Sequence, residues 1–310
     1  MHSFNISTSR GKFQSLQDQT FQIMPQRTGI LNPFKFKLMN SNTNILLHTG
    51  YDFHPFQAEI FNPTGYQVQL LKSYLETCRQ IKVDQLLIHG PDQPKYLKYF
   101  EAGLTILKSY LDDFNLSQKS TSQFVSPQKE SLNKLQEPIL APKVLQICIE
   151  MPAFCQSMYS KTYDFVGINK NNVYDFTLSY FNQVIKFGFD IVIDTAHLYS
   201  NGLSTQEMIS ICDIFRDNYK YIHLNGNSKP QFKKDKHTTL TPCDGYEANL
   251  IPESDALLKK MTELMNVYNK ICISEQKCGN IDYYRKLSIE YGFKLNESIM
   301  NNPDLITSRD

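Results

Sequence analysis

The sequence of 310 residues contains no tryptophan and no long uncharged apolar segment, and its mean hydropathy is -0.39. These features argue against a membrane-spanning helix. The first residues, MHSFNISTSRGKF, lack the apolar core of a secretory signal, so we expect an intracellular protein, cytoplasmic or nuclear, with no membrane partner. A formal net charge of only +1 gives no global attraction to nucleic acid, although buried acidic groups would cancel a basic rim in this sum.

The seven cysteines form no C-x-x-C pair, and most of them lie within apolar or helical segments. That distribution is typical of reduced core residues in an intracellular protein and argues against a cysteine-ligated zinc site. Hydrophobic residues make up 41% of the chain, which is enough for a substantial core in one large domain or two small ones.

Segments with the composition of buried strands alternate along the chain with segments of helical periodicity. The predicted strands are residues 4–8, 20–24, 44–48, 84–89, 144–150, 189–194, 219–224 and 270–275. The predicted helices are residues 67–81, 94–112, 173–187, 204–216, 253–268 and 281–291.

This alternation predicts an α/β protein in which eight strands and their helical crossovers close into a (β/α)8 TIM barrel. We expect one domain over residues 1–310, with an open parallel sheet as the alternative. Residues 1–19 form the weakest unit, because little room is left for a helix. Residues 115–142 are polar, proline-containing and aperiodic, and they predict a mobile surface insertion after the fourth βα unit.

Ionisable residues gather at the ends of the predicted strands. Four of the seven histidines and three carboxylates lie at, or within one turn past, a strand end, and a D-x-H pair follows the seventh strand. These nine residues are His48, His89, Glu150, Asp194, His197, His223, Asp235, His237 and Glu275. Since the strand ends cover roughly a tenth of the chain, fewer than about one histidine is expected there by chance.

A metal centre explains this placement better than a protein core does. One histidine at a strand end is more often a hydrogen-bonded core residue, and one carboxylate is more often an ion-pair partner. Burying so many ionisable groups on one face is costly, however, unless metal ions balance them. Nine candidates exceed the needs of one four-coordinate zinc ion, so the pattern predicts two or three metals with shared carboxylates. Imidazole and carboxylate ligands suit zinc, with manganese as the alternative. We therefore predict a multinuclear hydrolytic site.

Several of these segments resemble the endonuclease IV family of apurinic/apyrimidinic endonucleases. The segments are HTGY, LLIHGP, ICIE, DTAHLYSNG, HLNGNSKPQFKKDKH and ISE, between about Thr20 and Glu275. The most specific part is D-T-x-H-x-x-x-x-G, followed by H-x-N and then D-x-H. The resemblance implies a xylose-isomerase-like barrel that hydrolyses the phosphodiester 5′ to an abasic site in double-stranded DNA. It would leave a 3′ hydroxyl and a 5′ deoxyribose phosphate, as in base excision repair, and we expect a monomer.

The resemblance also implies a role for each site residue. One zinc would be held by His48, His89 and Glu150; a second by Glu150, Asp194, His223 and Glu275; and a third by His197, Asp235 and His237. Glu275 is the candidate for orienting the attacking hydroxide, and Glu150 joins it in the catalytic centre. The implied DNA contacts are Gln26, Arg27, Tyr51, Lys233 and Lys236, for which an ordinary polar loop, a half-buried tyrosine and a basic surface loop are the alternatives.

The chain departs from the family's pattern at three positions. Gly226 replaces an aspartate, Lys236 replaces an arginine, and Met151 replaces an asparagine. Lysine does not reproduce the bidentate phosphate contact of arginine, so these changes bear on turnover and lesion binding rather than on the metal cage. Abundant Asn, Lys and Ile without Trp suggest an AT-rich genome, and together with the divergence they hint at a large DNA virus.

Two other functions remain open from the sequence. A metal-dependent sugar isomerase or epimerase with a related barrel also places His, Glu and Asp at strand ends, but it needs fewer ligands, so His197, Asp235 and His237 would be surplus. A non-catalytic relative that binds abasic DNA would keep the cage while the altered surroundings abolish turnover.

Overall fold

The computed structural model describes most of the chain outside its N-terminal segment. The described residues are 5–8, 20–23, 44–50, 52–81, 83, 85–123, 144–154, 172–233, 235–275 and 281–294. None of the helices within these ranges is long and apolar enough to cross a membrane.

Ten short strands occur in the described residues. They are β1 (Asn5–Thr8), β2 (Thr20–Ile23), β3 (Asn44–His48), β4 (Gln85–His89), β5 (Gln146–Glu150), β6 (Asp190–Asp194), β7 (Tyr221–His223), β8 (Gly226–Asn227), β9 (His237–Thr238) and β10 (Ile271–Ser274). Eight of them form a closed barrel in the order β1-β10-β7-β6-β5-β4-β3-β2, with parallel pairing between neighbours. The predicted (β/α)8 barrel is thereby confirmed, and the open sheet is not what forms.

Helices follow the strands and pack around the barrel. They are α1 (Tyr66–Ile81), α2 (Pro94–Leu97), α3 (Phe100–Gln123), α4 (Val173–Lys186), α5 (Thr195–Ser200), α6 (Thr205–Ile214), α7 (Ser254–Tyr268) and α8 (Ile281–Tyr291). Their apolar faces and the outward faces of the strands share one large core. In α1, for example, Leu71, Tyr74 and Leu75 are buried, as the helical spacing predicts.

The barrel interior is filled by a separate layer of seven buried side chains. They are Leu46, Leu87, Cys148, Val192, Tyr221, Ile271 and Ile273. In an extended strand, residues two apart point to the same face. Six of these residues stand two positions before an ionisable residue, as Leu46 does before His48 and Ile273 before Glu275. The strand period therefore sends the ionisable side chains inward as well, one layer nearer the carboxyl end of the barrel.

Most predicted boundaries lie within about two residues of the observed ones, and the largest differences lie in the segment after β4. The predicted helix 94–112 divides into α2 and α3, and α3 continues to Gln123 into the predicted insertion. The Asn115 side chain lies at the start of this extension and both donates to and accepts from the backbone of Leu145, at 3.1 and 3.2 Å. The sequence from Asp113 to Gln123 has few apolar residues and no clear helical spacing of them, so periodicity did not predict the extension. Residues 124–142 of the predicted insertion, and most of residues 1–19, lie outside the described residues.

Candidate metal centre

Five of the predicted ligands are the last residues of consecutive barrel strands. They are His48 on β3, His89 on β4, Glu150 on β5, Asp194 on β6 and His223 on β7. Glu275 directly follows β10. His48, Glu150, Asp194 and His223 are at most 1% exposed. The parallel barrel thus brings six side chains from distant parts of the chain to one end, as the sequence predicts.

Glu150 is the centre of this cluster. Its Oε1 lies 3.0 Å from His223 Nδ1 and 3.2 Å from His197 Nδ1. Its Oε2 lies 3.0 Å from His89 Nε2 and 3.7 Å from His48 Nε2. One fully buried carboxylate therefore faces four imidazoles contributed by four different segments.

Asp194 connects the strand ends to a short helix. Its Oδ1 accepts hydrogen bonds from the backbone N–H groups of Ala196 and His197, at 2.7 and 2.9 Å, and so caps the N-terminus of α5. The six-residue helix brings His197 back over the strand ends, where its Nδ1 also lies 3.2 Å from the Met151 carbonyl oxygen. The sequence predicts His197 as a ligand, but its periodicity does not predict α5.

A small hairpin supplies the last two ligands. β8 and β9 pair antiparallel, with Asn227 opposite His237. The Oδ1 atom of the buried Asn227 side chain accepts from the backbone N–H groups of Lys229 and Lys236, which shapes the intervening loop. In this loop Asp235 Oδ2 lies 3.1 Å from His237 Nε2 and 3.6 Å from His197 Nε2.

Phe232 and Gly202 hold the same loop against α5. Phe232 has a positive φ of 61°, and its N–H donates to the Ser200 carbonyl oxygen at 2.8 Å. Gly202 has a φ of 109°, and a Cβ atom there would lie 2.2 Å from the Phe232 ring. A glycine is therefore required at this position both by its backbone conformation and by the ring packed on it.

Three groups of potential metal ligands result, each with ligand atoms within 4.8 Å of one another. The groups are His48, His89 and Glu150; Glu150, Asp194, His223 and Glu275; and Asp194, His197 and His237. The first two match the sets implied by the family resemblance. In the third group Asp194 takes the place predicted for Asp235, whose carboxylate instead lies beside both histidines. The assignment of each residue to a metal stays a prediction.

The charges of the cluster stabilise one another. Burial alone would raise the pKa of Glu150, but His223, His89 and His197 hold that pKa well below its ordinary value. Burial likewise opposes protonation of His223 and His237, yet the nearby carboxylates raise the pKa of each to about 9. Burial and the neighbouring His89 lower the pKa of His48 to about 4. The buried carboxylates therefore depend on positive charge nearby, either protons on the histidines or bound cations.

Divalent cations fit this donor set. Within the described part of the chain, Glu150 Oε2, Asp235 Oδ1 and His237 Nε2 are buried and form no hydrogen bond of acceptable angle. Native proteins rarely leave buried polar atoms in this state without a ligand. Imidazole nitrogens and carboxylate oxygens, with no thiolate among them, are a donor set typical of zinc or manganese.

A cavity of about 530 Å³ opens on the cluster. Its floor includes His48, His89, His197, Asp235, His237 and Glu275, and its wall includes Phe53, His54, Phe56, Tyr96 and Phe154. Lys233 is the lysine among the described lining residues. A cavity lined by potential metal ligands, aromatic side chains and one lysine is suited to a small anionic group.

The predicted DNA contacts, unlike the metal ligands, are not brought together by the described residues. Gln26, Arg27 and Tyr51 lie outside the described residues. Lys233 lines the cavity, whereas Lys236 points to the surface and pairs with Glu247, whose carboxylate also lies 3.3 Å from Lys229 Nζ. No sequence pattern indicates this pairing, because Glu247 lies in a loop 11 residues beyond Lys236.

The structure explains two departures from the family's pattern. A Cβ atom on Gly226 would lie 2.8 Å from both the Asn249 Oδ1 and the Thr239 carbonyl oxygen, so an aspartate does not fit without rearrangement. Met151 contacts His197 through its backbone carbonyl oxygen, an interaction that any side chain at this position permits. Neither substitution removes a ligand from the cluster.

Comparison with known proteins supports the fold. No protein-family model and no curated protein sequence matches the chain. Among solved structures, the ASFV AP endonuclease superposes with a TM-score of 0.52 at 14% identity, over 92% of this chain and 85% of its own. Endonuclease IV from Thermus thermophilus gives 0.51 at 14% identity, over 87% of each chain.

A third structure belongs to another class of enzyme. A xylose isomerase domain protein from Planctomyces limnophilus gives a TM-score of 0.54 at 9% identity, over 94% of this chain and 99% of its own. The chain therefore has the barrel fold that endonuclease IV-like and xylose isomerase-like enzymes share. At these identities the likeness shows the fold alone.

Proposed function

We propose that the protein is a DNA repair endonuclease that hydrolyses the phosphodiester 5′ to an abasic site, leaving a 3′ hydroxyl and a 5′ deoxyribose phosphate. The observation that carries the proposal is the third group of ligands, built from Asp194, His197 and His237 with Asp235 beside it. A centre with one or two metals would leave these groups without a role.

The residues that would hold zinc are the nine strand-end and hairpin ligands, with Glu150 and Asp194 shared between groups. When bound, divalent cations at this site would act as Lewis acids on the phosphodiester and lower the pKa of a water nucleophile. Manganese is the alternative, since the donor set also suits it.

The protein's own residues would position the substrate. In an abasic site the sugar has no base to unstack, so swinging it out of the duplex costs less than flipping an intact nucleotide. The apolar wall formed by Phe53, Phe56 and Phe154 would cover the sugar and exclude water, while Lys233 would contact a phosphate at the rim. Additional contacts to phosphates would make binding sensitive to salt.

In this proposal Glu275 would orient the attacking water. It lines the cavity, and its side chain is 11% exposed, whereas the Glu150 side chain is fully buried. Its Oε2 lies 3.4 Å from His223 Nδ1 and 3.8 Å from His237 Nδ1. Burial would raise the pKa of Glu275, but His223 lowers it, so the carboxylate is ionised at neutral pH and able to accept a hydrogen bond from water.

A sugar isomerase or epimerase is the second candidate function. The likeness to the xylose isomerase domain protein covers nearly all of both chains, at a TM-score above those of the two nucleases. Such an enzyme would bind a free sugar in the same cavity. Its metal site would be the ligand group that contains both Glu150 and Asp194.

A duplex carrying one tetrahydrofuran abasic analogue tests the proposal. We expect incision directly 5′ to the analogue, none on the matched intact duplex, and loss of incision after treatment with a strong chelator. Glu275→Gln should abolish turnover, and the matched control Glu290→Gln, an exposed residue of α8 that pairs with Lys286, should not.

The alternatives give different results in the same experiment. Tight binding of the analogue without incision, in protein that contains stoichiometric zinc, would identify a non-catalytic relative. Aldose–ketose interconversion or epimerisation of a ketose by the wild type, with neither binding nor incision of the analogue, would identify a sugar isomerase or epimerase.

A further inference from the structure

A buried amide lies between two of the carboxylates and belongs to none of the predicted ligand sets. Asn225 follows His223 by two residues and is fully buried. We propose that Asn225 is a positioning residue that fixes Asp194 and Glu275 relative to each other, so that both present oxygens to the same metal ion. This inference rests on the metal centre proposed above, but not on DNA being the substrate.

The two ends of the amide have different partners. Asn225 Nδ2 donates to Asp194 Oδ2 at 3.0 Å, and Asn225 Oδ1 accepts from the backbone N–H of Glu275 at 3.0 Å. These partners follow from the chemistry of the groups, because a carboxylate only accepts and a backbone N–H only donates. The orientation of the amide is thereby determined.

The Asn225 backbone is held as firmly as its side chain. Its N–H donates to Thr195 Oγ1 at 2.9 Å, and its carbonyl oxygen accepts from the same hydroxyl at 2.6 Å. Thr195 is fully buried and is the first residue of α5, directly after Asp194. Four hydrogen bonds, to Asp194, Thr195 and Glu275, therefore attach Asn225 to the segments that carry Asp194 and Glu275.

The bond to Asp194 controls the oxygen that faces the cluster. Asp194 Oδ1 is occupied by the N-terminus of α5, so Oδ2 is the oxygen turned towards His223 and His237, at 3.7 and 3.8 Å. A hydrogen bond from an amide fixes the rotation of the carboxylate while leaving a lone pair of Oδ2 for a metal. Without that bond, the Asp194 carboxylate would rotate about its capping interaction.

The bond to Glu275 positions another ligand of the group that contains Glu150, Asp194 and His223. Glu275 lies just beyond the end of β10, where the ladder of strand pairing no longer holds the backbone. Its N–H is held by Asn225 instead, so its side chain starts from a defined point at the cavity. One amide thus links ligands from β6 and β10 on either side of β7.

The test measures zinc affinity in Asn225→Ala and Asn225→Leu, the latter filling much of the volume without an amide. The matched control is Asn115→Ala, because the Asn115 side chain likewise uses both ends of its amide, but on the backbone of Leu145 at the opposite end of the barrel. Each protein is stripped of metal, titrated with zinc against a chromogenic chelator, and melted with and without zinc.

We expect both Asn225 variants to bind one equivalent of zinc about 10–100-fold more weakly than the wild type and to gain less melting temperature on zinc addition. Asn115→Ala should lose melting temperature in its metal-free form but keep its zinc affinity. Asn225 variants that bind zinc as tightly as the wild type, with a loss confined to the metal-free melting temperature, would overturn the inference.

The inference and the proposed function fail in different ways. Selective zinc loss in the Asn225 variants, together with absence of incision by zinc-loaded wild type, would overturn the nuclease proposal and support the role of Asn225. Normal incision with unchanged zinc affinity in the variants would overturn the role of Asn225 alone. A wild type that binds neither zinc nor manganese would overturn both.

Discussion

Charged side chains lie at both ends of the barrel, half-buried at the amino end and mostly buried at the carboxyl end, and they have different kinds of partner. At the amino end, Asp190 Oδ2 accepts from Gln85 Nε2 at 2.8 Å, and Lys270 Nζ donates to the Tyr219 carbonyl oxygen at 2.7 Å. Burial raises the pKa of Asp190, and Lys270 and Gln85 oppose that rise. The protein itself supplies partners for these charges.

At the carboxyl end, the protein supplies more acceptors than donors. Glu150, Asp194, Asp235 and Glu275 converge there, and buried atoms of Glu150 and Asp235 lack hydrogen bonds within the described residues. Buried charges without full compensation are costly, so a fold retains them where a ligand completes the site. The difference between the ends indicates that the carboxyl end, and not the amino end, is built to bind a ligand.

The largest difference between the ends should appear on removing one carboxylate charge from each. Glu150→Gln removes the carboxylate shared by two ligand groups. Metal catalysis supplies several kcal/mol, and each tenfold change in rate corresponds to about 1.4 kcal/mol. We therefore expect the rate of incision to fall at least about 1,000-fold. Asp190→Asn should leave incision within about twofold. Metal analysis by mass spectrometry and single-turnover incision assays would measure both. Comparable losses in the two variants would remove the distinction between the ends.

The loop that carries Asp235 and His237 offers a sharper test. In Gly202→Ala the new Cβ atom must displace the Phe232 ring, so we expect a fall in zinc affinity of at least about tenfold at the third ligand group. Gly245→Ala is the matched control, because Gly245 also has a positive φ, of 82°, but no described atom lies within 4 Å of a Cβ there. The control should lose about 1–2 kcal/mol of stability from backbone strain and keep its zinc affinity. Equal zinc affinities in the two variants would contradict the role of the Phe232 contact.

The two lysines near the site should contribute unequally to DNA binding. Lys233→Ala should weaken binding to abasic duplex and lower the slope of log affinity against log salt by about one, because Lys233 lines the cavity. Lys236→Ala should have less effect, since Glu247 already pairs with Lys236 and Lys229. Fluorescence anisotropy over a range of salt concentrations measures both slopes, and a larger effect for Lys236→Ala would contradict this order.

The smallest expected effect is on the pH dependence of folding stability, through Asp190 at the amino end of the barrel. Burial raises the pKa of Asp190 in the folded protein above its ordinary value of 3.8, so the folded state keeps the proton longer than the unfolded chain does. Its contribution to stability therefore falls as pH rises through the interval between the two values. Asp190→Asn should remove this contribution, so that the variant gains stability relative to the wild type between about pH 4 and neutrality. Urea midpoints at several pH values measure the difference, and parallel curves for the two proteins would exclude it.

Much of the site follows from local features of the sequence. His48, His89 and Glu150 end apolar segments, and the strand period of two places them one layer above the buried residues of the barrel interior, such as Leu46 and Leu87. Parallel strands in a barrel end at the same face, so their convergence required no knowledge of the loops. The third ligand group was less predictable, because it depends on α5 and on a hairpin with strands of only two residues.

Other features depended on contacts between segments far apart in the chain. The extension of α3 to Gln123 carries no apolar stripe, so composition concealed it. Glu247 pairs with Lys236 from a separate loop, and the direction of a lysine side chain leaves no trace in sequence. The role proposed for Asn225 depends on which groups surround its amide, and one of them lies 50 residues away.

The sequence by itself predicted the alternation of strands and helices and the set of ionisable residues at the strand ends, and it favoured a closed barrel over an open sheet. These properties follow from the periodicity of each segment and from the order of the segments, so they require no knowledge of contacts between distant residues. Only the tertiary structure decided that Glu150 lies at the centre of four imidazoles, that Asp235 lies beside His197 and His237, and that Lys233 rather than Lys236 faces the cavity. The physical reason is that hydrogen bonds and ion pairs act over about 3–4 Å, and loop packing sets which atoms come that close.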